Sequence, residues 1–454
     1  MISAAVRHHG RLIFLIASSL YLLGGVLFGC IFVSRLQTLL PAFGGQSNDR
    51  DAAFIRGDSS QIAKTTQVDQ NGKDAHSMGK EKRINVLLMG IDQRNDERAR
   101  GDPARTDSML LATIDTTNKA AGLLSIPRDL YMVIPDVQIP GQGRGQQIDR
   151  INTAHFWGDY LKYPGGGPAL AKKTLAYNFG VQVDYFARID FRGFEKAIDA
   201  LGGVTINVER PMIDYEYPTE DYETMVVSFS AGVQRMNGVR ALQYARTRHP
   251  DSDFGRSKRQ QQVLLAVRQQ ALRIDALPKL PSVVGSLGSS FKTDMPVAEM
   301  IRLSALVKDI ATEDIVTRSI DPTMVTETIT PGGADVLLPN QKDIANVIHE
   351  VYYGALVRRE GARIAILSGV NKQGAGNALA KELEDHGYHI AKVDDADRKD
   401  YSQSKLIYHS RKPYTVMLLS DRLGVTSDRI EAQPDPGATA DITVILGQDI
   451  AAKH

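Results

Sequence analysis

Residues 12–33 read LIFLIASSLYLLGGVLFGCIFV, a run without a charged residue and close to the ~20 apolar residues that a helix needs to cross a hydrocarbon core. A cleaved signal peptide has a shorter apolar core and a small-residue cleavage site, so the run predicts a transmembrane helix over 12–34 that acts as a signal-anchor. Arg7 and Arg11 precede it beside His8 and His9, and only Arg35 follows closely. The positive-inside bias therefore places residues 1–11 in the cytoplasm and the remainder of this single-pass chain outside the cell membrane. The one cysteine, Cys30, lies within the run, which excludes an intramolecular disulfide framework and leaves no thiol for catalysis.

The 454 residues leave room for two or three domains, and a net charge of +1 gives no electrostatic footprint for nucleic acid. Residues 35–81 are polar, with too few apolar positions for a core, and predict a flexible linker. Order begins at Ile84, where INVLLMG has the continuous apolar run of a buried strand; MLLATID from Met109, AGLLSI from Ala121 and YFARID from Tyr185 read likewise. Helical periodicity appears in PALAKKTLAYNFG, closed by Gly180, and in FEKAIDALGG. A longer helix is expected over 256–276, with Val263, Leu264, Val267, Leu272 and Ile274 on an apolar face and Pro278 beyond it. Strand and helix signals intermix, so the fold class is α/β. The pattern restarts near Gly361: RIAILSG, YTVMLLS and DITVILG read as strands and NALAKELEDHG as a helix closed by Gly387, giving a small C-terminal α/β domain over 361–448.

The chemistry concentrates in four segments. Asp92 follows the first strand in GIDQR, and Arg105 and Asp107 precede the next in ARTDSMLL. Carboxylates at strand ends are commonly turn-formers, but two at equivalent edges could jointly bind Mg²⁺, which takes one or two carboxylates together with phosphate oxygens. Arg128 and Asp129 follow a strand in SIPRD, where the preceding Pro127 keeps the backbone extended. The fourth segment is 244–260, with Arg246, Arg248, Asp253, Arg256, Arg259 and Gln260. Arg246 and Arg248 share a face if that stretch is extended, and Arg256, Arg259 and Gln260 share a helical face. Positive side chains at a helix N-terminus oppose the macrodipole, so this cluster calls for an anion such as a diphosphate. No HExxH spacing or GxSxG elbow occurs, which disfavours zinc and serine-hydrolase chemistry; GVNKQGAG lacks the Lys and Ser/Thr of a phosphate loop and reads as a tight turn.

In order along the chain, LLMGID, RTDSMLL, SIPRD, INTAH with its downstream GGG, DYFARIDFRGF, IDALGGV, the ALQYARTR segment and DFGRSKRQQQ closely resemble the LytR-CpsA-Psr family of cell-wall polymer ligases over 82–352. Residues 361–448 are similar to the LytR C-terminal-type accessory domain. The resemblance implies a central mixed sheet surrounded by helices, and a phosphotransferase that moves a glycopolymer phosphate from a polyprenyl diphosphate carrier to a wall hydroxyl, typically on peptidoglycan. It implies Asp92 and Asp107 as Mg²⁺ ligands, Asp107, Arg128 and Arg105 as catalytic, and Arg105, Arg128, Arg246, Arg248, Arg256 and Gln260 around the diphosphate. Arg188, Asp253 and Arg259 are carried over with them. The identity of the general base stays open between Asp107 and its neighbouring carboxylates.

The same apparatus would serve hydrolysis of a lipid-linked diphosphate, and a non-catalytic lipid- or wall-binding scaffold is the alternative of a different class. Transcriptional regulation conflicts with the expected topology and the balanced charge. The segment 135–147 is unusually Gly- and Gln-rich and is expected as a loop bearing on acceptor choice.

Overall fold

The computed structural model describes residues 83–92, 100, 102–139, 143–219, 223–248, 253–273 and 280–452. The expected cytoplasmic N-terminus, transmembrane helix and linker lie outside the described residues, among which no helix is long and apolar enough to cross a membrane.

The chain runs through β1 (Arg83–Ile91), β2 (Thr106–Asp115), β3 (Ala120–Ile126), β4 (Tyr131–Ile139), β5 (Gly143–Arg150), α1 (Thr153–Tyr160), α2 (Gly166–Phe179), β6 (Tyr185–Asp190) and α3 (Phe191–Ala200). There follow β7 (Val204–Val208), β8 (Met212–Pro218), β9 (Thr224–Phe229), β10 (Gly232–Met236), α4 (Gly238–Arg246), α5 (Asp253–Arg273), α6 (Leu280–Leu287), β11 (Phe291–Thr293), α7 (Val297–Asp309) and β12 (Ile315–Ser319). Next are β13 (Val325–Ile329), β14 (Asp335–Pro339) and α8 (Gln341–Glu360). The C-terminal part comprises β15 (Arg363–Ser368), α9 (Ala375–Asp385), β16 (His389–Asp395), β17 (Lys405–Tyr408), α10 (Pro413–Leu423), β18 (Ile430–Ala432), β19 (Ile442–Leu446) and α11 (Gln448–Ala451).

The central sheet is mixed and six-stranded, in the order β11-β6-β1-β2-β3-β12. Its central strands read as continuous apolar runs because both faces are covered. Leu87 and Met89 point into a core shared with Leu170 and Leu175 of α2 and with Val347 and Val351 of α8. Ile84 and Val86 point the other way, onto Leu303 of α7 and Ile310 just after it. Helix α8 crosses β3 so closely that a Cβ on Gly122 would stand 2.2 Å from the Val351 carbonyl oxygen. A separate core joins α3, α4, α5 and β7 to β10 through Ile198, Val204, Met236, Tyr244 and Val263.

Three expectations change. The helix expected over 256–276 runs over 253–273. The Gly- and Gln-rich segment expected as a loop is largely a paired hairpin, with Val137 opposite Gly145 and a bulge after Ile134 where Asp136 takes φ +64°. Its glycines weaken a strand signal that the backbone pairing still satisfies. Finally, YTVMLLS is helical, within α10. A short apolar run does not distinguish a buried helix from a buried strand. Here Thr415, Leu418, Leu419 and Leu423 are buried at helical spacing, and the Glu360 carboxylate accepts from the Tyr414 and Thr415 amides at 3.0 and 2.7 Å, capping the first turn.

The C-terminal domain is a five-stranded sheet in the order β16-β15-β19-β17-β18, with Ile364, Ile366, Val444 and Leu446 packed on Leu379, Leu383 and Leu419. Helix α8 belongs to both cores, since Val351 enters the first and Val357 the second. Glu350, midway along it, accepts from Arg318 of β12 at 2.8 Å and from Arg422 of α10. A carboxylate held by two guanidiniums ties β12 to the C-terminal domain.

Candidate active site

Strand directions gather the candidate residues on one edge of the central sheet. Strand β1 ends where antiparallel β2 begins, β3 ends beside them with Ile126 opposite Met109, and parallel β6 ends with Asp190 opposite Ile91. Asp92, Asp107 and Arg128 therefore emerge together, although they are spread over 92–128 in sequence.

Their charges interlock. Arg128 donates to Asp107 at 3.1 Å and to Asp129 at 3.2 Å, and Arg150 lies 3.4 Å from Asp129. Arg248 approaches Asp107 at 3.9 Å, and Arg246 approaches Asp92 at 3.6 Å. Arg246 is the last residue of α4 rather than part of an extended stretch, so the alternation expected for it and Arg248 does not apply. Thr247 turns the chain at ψ 132°, and each arginine reaches a different carboxylate. The guanidinium of Arg246 lies 3.9 Å from the centre of the Phe191 ring and 5.4 Å from that of Tyr217, whose hydroxyl accepts from it at 3.4 Å. Burial raises the Tyr217 phenol above its ordinary value of 10, only partly offset by Arg246, so it accepts as a neutral hydroxyl. Buried Asp214 accepts from the Arg248 amide at 3.1 Å and thereby fixes the backbone beside the cluster.

A shallow cleft opens between the ends of β2 and β3 and the start of α5, lined by Asp107, Ser108, Arg128, Phe254, Arg256, Ser257 and Gln260. Gln260 donates to the Ser108 hydroxyl at 2.7 Å, leaving that hydroxyl its own proton to donate. Arg256 is 5% exposed and contributes to the wall. Arg259, expected at the diphosphate, is buried and donates to the carbonyls of Tyr244, at 3.1 Å, and Thr247. Its charge is thus offset in part by the negative end of α4, and it braces the turn that carries Arg246 and Arg248. Asp253 begins α5.

Arg105 and Arg188 are placed against α1. Arg105 is exposed, 5.9 Å from the Phe156 ring. Arg188 lies 3.2 Å from His155 Nε2 and 3.8 Å from Asp159. His155, Ser108, Asp214 and Tyr217 were not singled out from sequence. Of these, Ser108 lies within RTDSMLL and His155 within INTAH, and the burial of His155 on α1 is what marks it.

The donor set suits a hard cation. Asp92 and Asp107 present carboxylate oxygens on neighbouring strand ends. Two carboxylates are a donor set that Mg²⁺ accepts when phosphate and water oxygens complete its shell.

Residues 49–351 match the LytR_cpsA_psr family, and residues 361–449 match the family described as LytR cell envelope-related transcriptional attenuator. The chain belongs to the LytR_cpsA_psr family. Among its relatives, the regulatory protein MsrR of Staphylococcus aureus is 37% identical over 52% of this chain and 62% of its own length. The polyisoprenyl-teichoic acid–peptidoglycan teichoic acid transferase TagU of Oceanobacillus iheyensis is 33% identical over 53% of this chain and 67% of its own. The chain thus spans about three fifths of the length of the first of these relatives, and the two names divide between regulator and transferase. Solved structures similar to it include TagV of B. subtilis, 24% identical with TM-score 0.47 over 60% of this chain and 98% of that one. TagT of B. subtilis is 23% identical with TM-score 0.43 over 64% and 96%.

Proposed function

We propose that this family member is a membrane-anchored, Mg²⁺-dependent phosphotransferase. It moves a glycopolymer phosphate from a polyprenyl diphosphate carrier to a hydroxyl of a wall acceptor, typically peptidoglycan, outside the cell membrane. The observation that carries the reading is the interlocked Asp92–Arg246 and Asp107–Arg128–Arg248 arrangement at one sheet edge beside a cleft. Guanidiniums outnumber carboxylates there, so the edge attracts a polyanion while keeping two carboxylates for a divalent ion. The similarity to TagU, named a polyisoprenyl-teichoic acid–peptidoglycan teichoic acid transferase, supports the substrate class.

In the transfer, an acceptor oxygen forms a bond to the phosphorus bearing the glycan, the bond from that phosphorus to the bridging oxygen breaks, and polyprenyl monophosphate leaves. Mg²⁺, when bound, neutralises charge on the diphosphate oxygens. Arg128, Arg246 and Arg248, each preset by a carboxylate, stabilise charge that accumulates on the equatorial and leaving oxygens. The Ser108 hydroxyl and Arg256 face the same cleft and add donors. A carboxylate of the group, Asp107 or Asp129, accepts the acceptor proton.

Membrane anchoring rests on the apolar run at 12–33, and an orientation-reporter fusion at the C-terminus tests it: signal from the cytoplasmic side contradicts the placement. Stripping divalent ions with a chelator is expected to abolish transfer and Mg²⁺ to restore it. Full activity in the chelated enzyme contradicts the metal assignment.

A further inference from the structure

Three groups surround the buried imidazole of His155, which is fully shielded from solvent. Its Nδ1 lies 2.8 Å from the Ala104 carbonyl oxygen and 3.6 Å from an Asp159 carboxylate oxygen. Both are acceptors, so Nδ1 carries a proton. Its Nε2 lies 3.2 Å from Arg188 Nη1, and a guanidinium only donates, so Nε2 must be bare. Geometry alone therefore selects the neutral tautomer protonated at Nδ1. The α2 backbone packs directly on the ring: a Cβ on Gly167 would stand 2.8 Å from His155 Cγ and Nδ1. The Gly167 amide in turn donates to Asp159 at 2.6 Å. The close approach of α2 to α1 is thus a feature of the INTAH and GGG segments acting together.

We infer that His155 is a positioning residue for the phosphate-binding edge: one fixed imidazole anchors Arg188 through its guanidinium and Arg105 through the carbonyl of the preceding residue. This rests on the reading that both arginines meet the lipid-linked diphosphate. The histidine touches no reacting atom and acts through the two arginines. Protonation at Nε2 would turn an acceptor into a donor facing Arg188 and release it. Asp159 is the carboxylate facing the ring, and Arg188 and Lys292 are the cations.

The test uses the full chain in detergent micelles. Imidazole ¹⁵N spectra of histidine-labelled protein at pH 7 should show His155 protonated at Nδ1 and bare at Nε2; the opposite tautomer, or a doubly protonated ring, overturns the inference. His155→Asn keeps a donor where Nδ1 stands and loses the Arg188 acceptor, whereas His155→Gln keeps an acceptor where Nε2 stands. With a short-chain polyprenyl diphosphate saccharide, H155N should lower kcat/KM roughly ten- to a hundredfold, the loss expected for a hydrogen bond to a charged group. H155Q should recover part of that loss. In an Arg188→Ala background H155N should cost nothing further, because its effect is already spent through Arg188. Additive losses there would show general structural damage and overturn the inference. If the unmodified protein shows no transfer at all, the functional reading fails on its own, and the tautomer together with the affinity for inorganic pyrophosphate still decides the role of His155.

Discussion

Replacing Arg128 by alanine should separate chemistry from folding. The side chain is 25% exposed and makes charge-assisted contacts with Asp107 at 3.1 Å and Asp129 at 3.2 Å. Partly solvated ion pairs contribute little to stability, so each should be worth no more than about 1 kcal/mol after screening. Arg150 remains beside Asp129 and Arg248 beside Asp107, so neither carboxylate is left without a cation. With two such pairs lost, the melting temperature should fall by no more than about 4–8 °C. Catalytically, the substitution removes a preset donor aimed at developing charge, for which the loss is roughly 10²–10³ in kcat, or about 3–4 kcal/mol of transition-state stabilisation. The assay is steady-state transfer from a short-chain polyprenyl diphosphate saccharide at saturating Mg²⁺, paired with thermal unfolding of the same preparation. A wild-type rate in R128A refutes the assignment of the site. A collapsed melting temperature refutes the claim that Arg128 serves the site rather than the fold.

Other substitutions behave differently. Arg259→Met should destabilise the protein by about 1–3 kcal/mol for each carbonyl left buried without a donor, measured by urea unfolding, and an unchanged midpoint would contradict its bracing role. Tyr217→Phe keeps the ring beneath Arg246 and should cost less than threefold in kcat/KM, roughly the worth of a long neutral hydrogen bond, whereas Tyr217→Ala should cost more; equal effects would show that the ring does not orient the arginine. His155 is held below its ordinary value of 6.5, chiefly by burial, with Arg188 and Lys292 adding and Asp159 opposing. The unfolded chain then takes up a proton that the folded one resists, so the stabilisation is complete above pH 6.5 and declines as pH falls below it. Urea midpoints between pH 7.5 and 5 should therefore drop more steeply for the unmodified protein than for H155Q, and parallel curves would contradict the burial of a neutral ring.

The sequence exposes the central strands well because burial on both faces writes itself as INVLLMG and AGLLSI. It exposes α2 because Gly180 closes the helix in the left-handed conformation at φ +66°. It fails where tertiary contacts decide. The run YTVMLLS is apolar enough for either a strand or a helix, and it is the Glu360 carboxylate, distant in sequence, that caps a helix there. Asp92, Asp107 and Arg128 were legible as candidates since each follows or precedes a strand. Their mutual pairing was not, because it depends on which strands are neighbours. Arg259 illustrates the converse. From sequence it belongs to a basic cluster that needs an anion, yet part of that anion is the C-terminal end of the protein's own α4. His155 gave no signal of its own, since a lone histidine carries none until burial and its two opposed partners are seen.

The most direct test of the central claim is an acceptor-dependence measurement. The full chain, with a short-chain polyprenyl diphosphate saccharide and Mg²⁺, is assayed with and without a peptidoglycan oligosaccharide. The account predicts that polyprenyl monophosphate release rises with acceptor and is matched by a new phosphodiester joining glycan to acceptor. Release that proceeds equally without acceptor and yields free glycan phosphate would contradict it and make the protein a hydrolase.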